Sequence, residues 1–97
     1  MMQPITPRAL TKQEIAWIKT IVAKEDPKQQ QAILTALKNI KVEQQCICDN
    51  PQCHSIRFST YRKGKSIAFA QQPIDNKRTG ILFVDQENQQ PTEVEII

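Results

Sequence analysis

The chain has 97 residues, enough for one domain with a single modest core and too few for a second. Apolar residues make up 39% and charged residues 24%, which excludes wholesale disorder. A formal net charge of +3 is too slight to mark a nucleic-acid binder by itself. No apolar run approaches the roughly 20 residues needed to span a bilayer. Met1 to Leu10 carries two prolines and lacks the apolar centre of a signal peptide. The expectation is a cytoplasmic protein with no membrane partner. In that compartment three cysteines are kept reduced or hold a metal.

In chain order, residues 1–10 read as a loose lead-in. Thr11-Lys12-Gln13-Glu14 matches a capping box, in which the Thr11 hydroxyl accepts from the Glu14 N–H and the Glu14 carboxylate reaches back. Ile15, Ile18, Ile21 and Val22 then recur at helical spacing with Trp17 beside them. Asp26-Pro27 should end this helix and start the next, because Pro27 disfavours a helical residue before it and suits a first helical position. Ile33, Leu34, Leu37 and Ile40 form the second apolar stripe.

After Cys46 the period changes to two. Ile56 and Phe58 alternate with Arg57 and Ser59, and Ile67 and Phe69 follow a Lys63-Gly64-Lys65 turn. Ile81 to Val84 and Val94 to Ile97 complete the strands, separated by the polar loop Gln86 to Gln90. The expected fold is α+β, an N-terminal helical hairpin packed on one face of a four- to five-stranded antiparallel β-meander. Residues 1–97 form a single domain, with two helices over 11–44 and the antiparallel sheet over 45–97.

Every cysteine and the one histidine fall within Cys46-Ile47-Cys48-Asp49-Asn50-Pro51-Gln52-Cys53-His54. In a hairpin closed by Asp49 to Gln52, strand alternation places Cys46, Cys48, Cys53 and Ser55 on one face. Ile47, His54, Ile56 and Phe58 then share the other, toward the helices. Cys46, Cys48, Cys53 and His54 have the residue types of a tetrahedral zinc site. Against this, Cys-x-Cys is not the usual paired spacing, and Cys53 and His54 point oppositely on a regular strand. A disulfide from Cys53 to Cys46 or Cys48 and a set of small, partly buried hydrophobes are the other readings. No cofactor is required. With Cys53 and His54 adjacent, only two glycines and no second histidine, the chain lacks a catalytic constellation and reads as a non-enzyme.

Two surfaces remain. Arg57, Tyr61, Arg62, Lys63 and Lys65 make a basic cluster with one aromatic, the composition of a small nucleic-acid interface. If Ile81, Phe83, Val94 and Ile96 face the helices, then Leu82, Val84, Glu93 and Glu95 face outward with Arg57 and Tyr61. That mixture of aliphatic, aromatic and both charges suits protein docking.

Cys46-Ile47-Cys48, the spacing to Cys53, the following Ser55-Ile56 and the closing Glu93-Val94-Glu95-Ile96-Ile97 resemble a pattern of small bacterial α+β proteins. Some of these are immunity proteins, which neutralise a toxin domain in interbacterial competition. The likeness covers roughly the C-terminal half, and Asp49 to Gln52 replaces a tighter Gly-containing step. It implies a protein-binding module whose partner is a cognate toxin, acting as a monomer or weak homodimer by covering the toxin's active site. The alternative is a zinc-stabilised nucleic-acid-binding module.

Overall fold

The computed structural model describes residues 2–46 and 53–97. It is α+β, with two helices on one face of a six-stranded antiparallel sheet. The elements are β1 (Met2–Arg8), α1 (Lys12–Ile21), α2 (Pro27–Leu37), β2 (Val42–Cys46), β3 (Ile56–Phe58), β4 (Ser66–Pro73), β5 (Thr79–Asp85) and β6 (Pro91–Ile96).

The helix signals act as their chemistry requires. Both bonds of the Thr11–Glu14 capping box form. Asp26 caps α2 by accepting from the Lys28 N–H at 2.8 Å, with Pro27 at the first helical position. The first helix ends sooner than Pro27 demands. Its C-cap is Val22, and the Gln30 side-chain amide donates to the carbonyls of Ala23 and Glu25, satisfying the turn from the next helix.

Two expectations about the sheet are corrected. Met2–Arg8 is no loose lead-in but the edge strand β1, paired with β2. Its prolines are tolerated because an edge strand leaves one side of its backbone unpaired. Nor is the sheet a four- to five-stranded meander. Its order is β1-β2-β3-β6-β5-β4, so the last strand inserts between β3 and β5. Strands β3 to β6 therefore make a Greek-key arrangement, and the β3–β4 connection must cross the ends of β6 and β5.

That crossing is pinned by side chains. Thr60 Oγ1 donates to the Pro91 carbonyl, and Ser66 and Thr92 share a hydroxyl bond of 2.8 Å. The Arg62 guanidinium grips Asp85 through two bonds of 2.8 Å. Asp85 also accepts the N–H groups of Glu87 and Asn88, shaping the β5–β6 turn. Burial resists its ionisation, but these donors outweigh burial and hold its carboxyl below the usual carboxylate range.

The core lies between helices and sheet. Ile18, Ile21, Val22, Ile33 and Leu37 meet Val42, Ile56, Phe58, Leu82, Val84, Val94 and Ile96. Gly80 permits this approach: a Cβ there would stand 2.6 Å from Ile21 Cδ1. Here the expected phase of β5 is also overturned. Leu82 and Val84 are 0% and 1% exposed, so they belong to the core and not to the outer face. Leu82 pairs with Val94, while Ile81 pairs with Glu95 and Phe83 with Glu93. Four consecutive apolar residues carry no alternation, and register against β6 decides which pair turns inward.

Candidate functional site

The face of the sheet away from the helices carries the densest mixed chemistry. Cross-strand register brings Arg57 on β3 beside Glu93 on β6, and Glu93 beside Phe83 on β5. Arg57 Nε donates to Glu93 Oε2 at 3.1 Å, and its guanidinium lies 4.3 Å from the Tyr61 ring centroid. A third contact runs from Arg57 to the Gln44 side-chain oxygen at 3.4 Å. Arginine is thus held between a carboxylate and an aromatic face, with little rotamer freedom left to lose on binding.

Glu95 sits two residues along the same strand face. Burial, and then the neighbouring Glu93 charge, push its carboxyl above the usual glutamate range, with Arg57 offsetting part of the effect. Four of the six residues expected on this surface are there: Arg57, Tyr61, Glu93 and Glu95. In place of Leu82 and Val84 stand the half-buried Ile81 and Phe83. Only the register of β5 against β6, with Phe83 opposite Glu93 and Ile81 opposite Glu95, shows which β5 residues accompany Arg57.

The basic cluster is largely neutralised. Arg62 binds Asp85 and Glu87, Lys65 Nζ reaches Glu87 at 3.2 Å, and Arg57 is committed to Glu93. Lys63 remains exposed at the turn whose Gly64 adopts φ 77°. Residues that are neighbours in the chain are thus distributed among carboxylates supplied by β5, β6 and the turn between them.

In the cysteine segment, strand alternation holds for the described residues. The sulfurs of Cys46 and Cys53 lie 3.5 Å apart. His54 turns toward the helices, where its Nε2 is 2.9 Å from Glu14 Oε2 and its ring meets Trp17 edge-on at 5.0 Å. Two of the four expected zinc ligands therefore converge, while His54 is directed to a carboxylate elsewhere. Cys48 lies outside the described residues. Among the described residues, no group of three or more His, Cys, Asp or Glu side chains is placed to share a metal ion.

Glu14 is the centre of a second cluster that sequence reading saw only as a cap. Its side chain is 2% exposed, and Arg8 donates to both carboxylate oxygens, at 2.8 and 2.9 Å. Burial alone would raise its pKa, but the bonds from Arg8, His54 and the Thr11 N–H drive it well below the usual glutamate range. The cluster joins β1, α1 and the entrance to β3, and every buried polar side-chain atom among the described residues is satisfied.

No described helix is long and apolar enough to cross a membrane. Comparison with protein-family models, with curated proteins and with solved structures returned no match.

Proposed function

We propose that this protein is a non-enzymatic binding module of the toxin-neutralising immunity type, and that it docks through the open face of its sheet. The observation that carries this reading is Arg57 held between Tyr61 and Glu93 on a face that neither helix covers. Arginine and tyrosine are the residue types that most often dominate binding energy, and here both are ordered before a partner arrives. Phe83 and Ile81 supply apolar area beside them, the partly exposed Glu95 supplies charge that selects the partner, and the buried Glu93 holds Arg57 in place. The inhibition is steric, with a preformed surface covering the toxin's active cleft.

The nucleic-acid alternative has weaker support, because Arg62 and Lys65 already balance Asp85 and Glu87. Little uncompensated charge remains there to displace phosphate counterions.

Native mass spectrometry of the protein isolated gently from its own host tests the reading. A stoichiometric second protein is expected, and its retention should fall at least about ten-fold in Arg57→Ala and in the double variant Glu93→Lys/Glu95→Lys. A partner retained equally by both variants would remove this face as the contact. Bound oligonucleotide without a protein would replace the reading with the alternative.

A further inference from the structure

We propose that the groove between α1 and α2, on the opposite side of the molecule from the open sheet face, is a second docking site, for an acidic amphipathic helix of a partner protein. Its apolar lining comes from Ile15 on α1 and Leu34 and Leu37 on α2, with Lys19 and Lys38 at its sides. These three aliphatics belong to the stripes that made the helices legible, yet Ile15 and Leu34 are only half-buried by the sheet.

Charge identifies the occupant. Residues 11–41 contain six lysines and three carboxylates, whereas the rest of the chain has seven basic and seven acidic residues. The whole net charge of +3 therefore belongs to the helical layer. One of its three carboxylates, Glu14, is buried against Arg8, and a second, Asp26, caps α2. Lys19 and Lys38 take part in none of the ion pairs among the described residues. An apolar channel walled by uncompensated lysines is complementary to a helix with aliphatic anchors flanked by carboxylates.

Size and shape favour a helix over other anions. The groove encloses about 290 Å³, at the lower edge of the roughly 300–1,000 Å³ typical of pockets that engulf a small molecule. Two helices of ten and eleven residues present walls about 15 Å long at 1.5 Å per residue. That length matches anchors at i, i+3 and i+7 of a docking helix. A membrane surface would need apolar side chains that protrude, whereas these form the floor of a depression. Single-stranded nucleic acid would need aromatic stacking partners, and none lines the groove.

The test titrates ¹⁵N-labelled protein with a synthetic helical peptide bearing leucines at i, i+3 and i+7 and glutamates elsewhere. Chemical shifts should move at Ile15, Lys19, Leu34, Leu37 and Lys38, and affinity should fall about ten-fold in the exposed double variant Lys19→Glu/Lys38→Glu. Leu34→Asn should weaken binding as well. Arg57→Ala, which tests the open sheet face, should leave this binding unchanged, so the two proposals fail separately. An absence of shifts, equal binding of a peptide with lysine in place of glutamate, or shifts confined to the sheet face would each overturn the proposal. So would tighter binding to phosphatidylglycerol vesicles or to single-stranded RNA than to the acidic peptide.

Discussion

Glu14 on α1 and His54 before β3, 40 positions apart in the chain, meet at 2.9 Å, with Glu14 buried and also gripped by Arg8. One carboxylate thus closes the helix cap, anchors the edge strand β1 and fixes the start of β3.

Replacing that carboxylate should be felt as stability. Glu14→Gln leaves Arg8 and His54 without their anion, and loss of a buried pair costs about 3–5 kcal/mol when both partners are sealed from water. Arg8 and His54 side chains are 31% and 32% exposed and can turn to solvent. The expected cost is therefore nearer 2 kcal/mol, read from urea unfolding at neutral pH. The pH dependence has a definite sign. Because folding lowers the Glu14 pKa from its ordinary 4.5, its contribution is complete above about pH 4.5 and is lost as pH falls toward the folded value. The variant should accordingly lose less stability than wild type below pH 4.5. Parallel pH profiles would mean that Glu14 does not carry the acid sensitivity.

Gly80 should resist any side chain. A Cβ would lie 2.6 Å from Cδ1 and 2.8 Å from Cγ1 of Ile21, which is fully buried. Gly80→Ala is expected to cost about 1–3 kcal/mol by overpacking. Ile21→Val removes Cδ1 and should recover part of that cost in the Gly80→Ala background. The double-mutant cycle reads the coupling, and additive effects would show that the clash is relieved elsewhere.

These contacts show what the sequence exposes and what it hides. Thr11-Glu14 and Asp26-Pro27 are legible because capping chemistry is local, spanning three residues or fewer. The opposed directions of His54 and the Cys46–Cys53 pair are legible because a strand alternates. Strand β1 is hidden because Pro4 and Pro7 argue against a strand unless it is known to lie at an edge. The phase of Ile81 to Val84 is hidden because all four are apolar, and only pairing with β6 resolves it. The neutralisation of Arg57, Arg62 and Lys65 is hidden because their carboxylates are far away in the chain, on β5, β6 and the turn between them, and only the Greek-key crossing brings them near. The local run of basic residues suggests a basic surface on the hairpin, whereas folding pairs Arg57, Arg62 and Lys65 with carboxylates and, among the described residues, leaves the lysines of the helices unpaired.

Glu95 should trade stability for recognition. Its pKa is raised, chiefly by burial and then by Glu93. The folded state therefore binds its proton more tightly than the unfolded chain, and ionisation above the usual value of 4.5 opposes folding. Glu95→Gln should add about 0.5 kcal/mol at neutral pH, kept small because solvent screens much of this half-exposed group. The gain should vanish below about pH 4, where wild type is protonated in both states. Improved stability together with weakened partner retention would mark a carboxylate kept for binding. Improved stability with unchanged retention would remove Glu95 from the docking surface.

The open edge of β4 should govern self-association. Ser66 to Gln72 carry no charge, and Ile67 is 45% exposed, whereas the opposite edge strand β1 holds Pro4 and Pro7. The bonds Gln86 N–H to Lys65 O and Ile74 N–H to Arg78 O set the alternation of the β4–β5 ladder. On that alternation, the backbone groups of Ser66, Ala68 and Gln71 point away from β5. An uncharged edge with an exposed aliphatic is a template for another strand, guarded here by the irregularity between Ala68 and Ala70. Ile67→Lys should leave the unfolding midpoint within about 0.5 kcal/mol of wild type, as for an exposed position. It should also raise the temperature at which light scattering begins on heating, because a charge now opposes edge-to-edge pairing. Unchanged scattering would mean that the irregularity between Ala68 and Ala70 already blocks the edge, and that association proceeds through another surface.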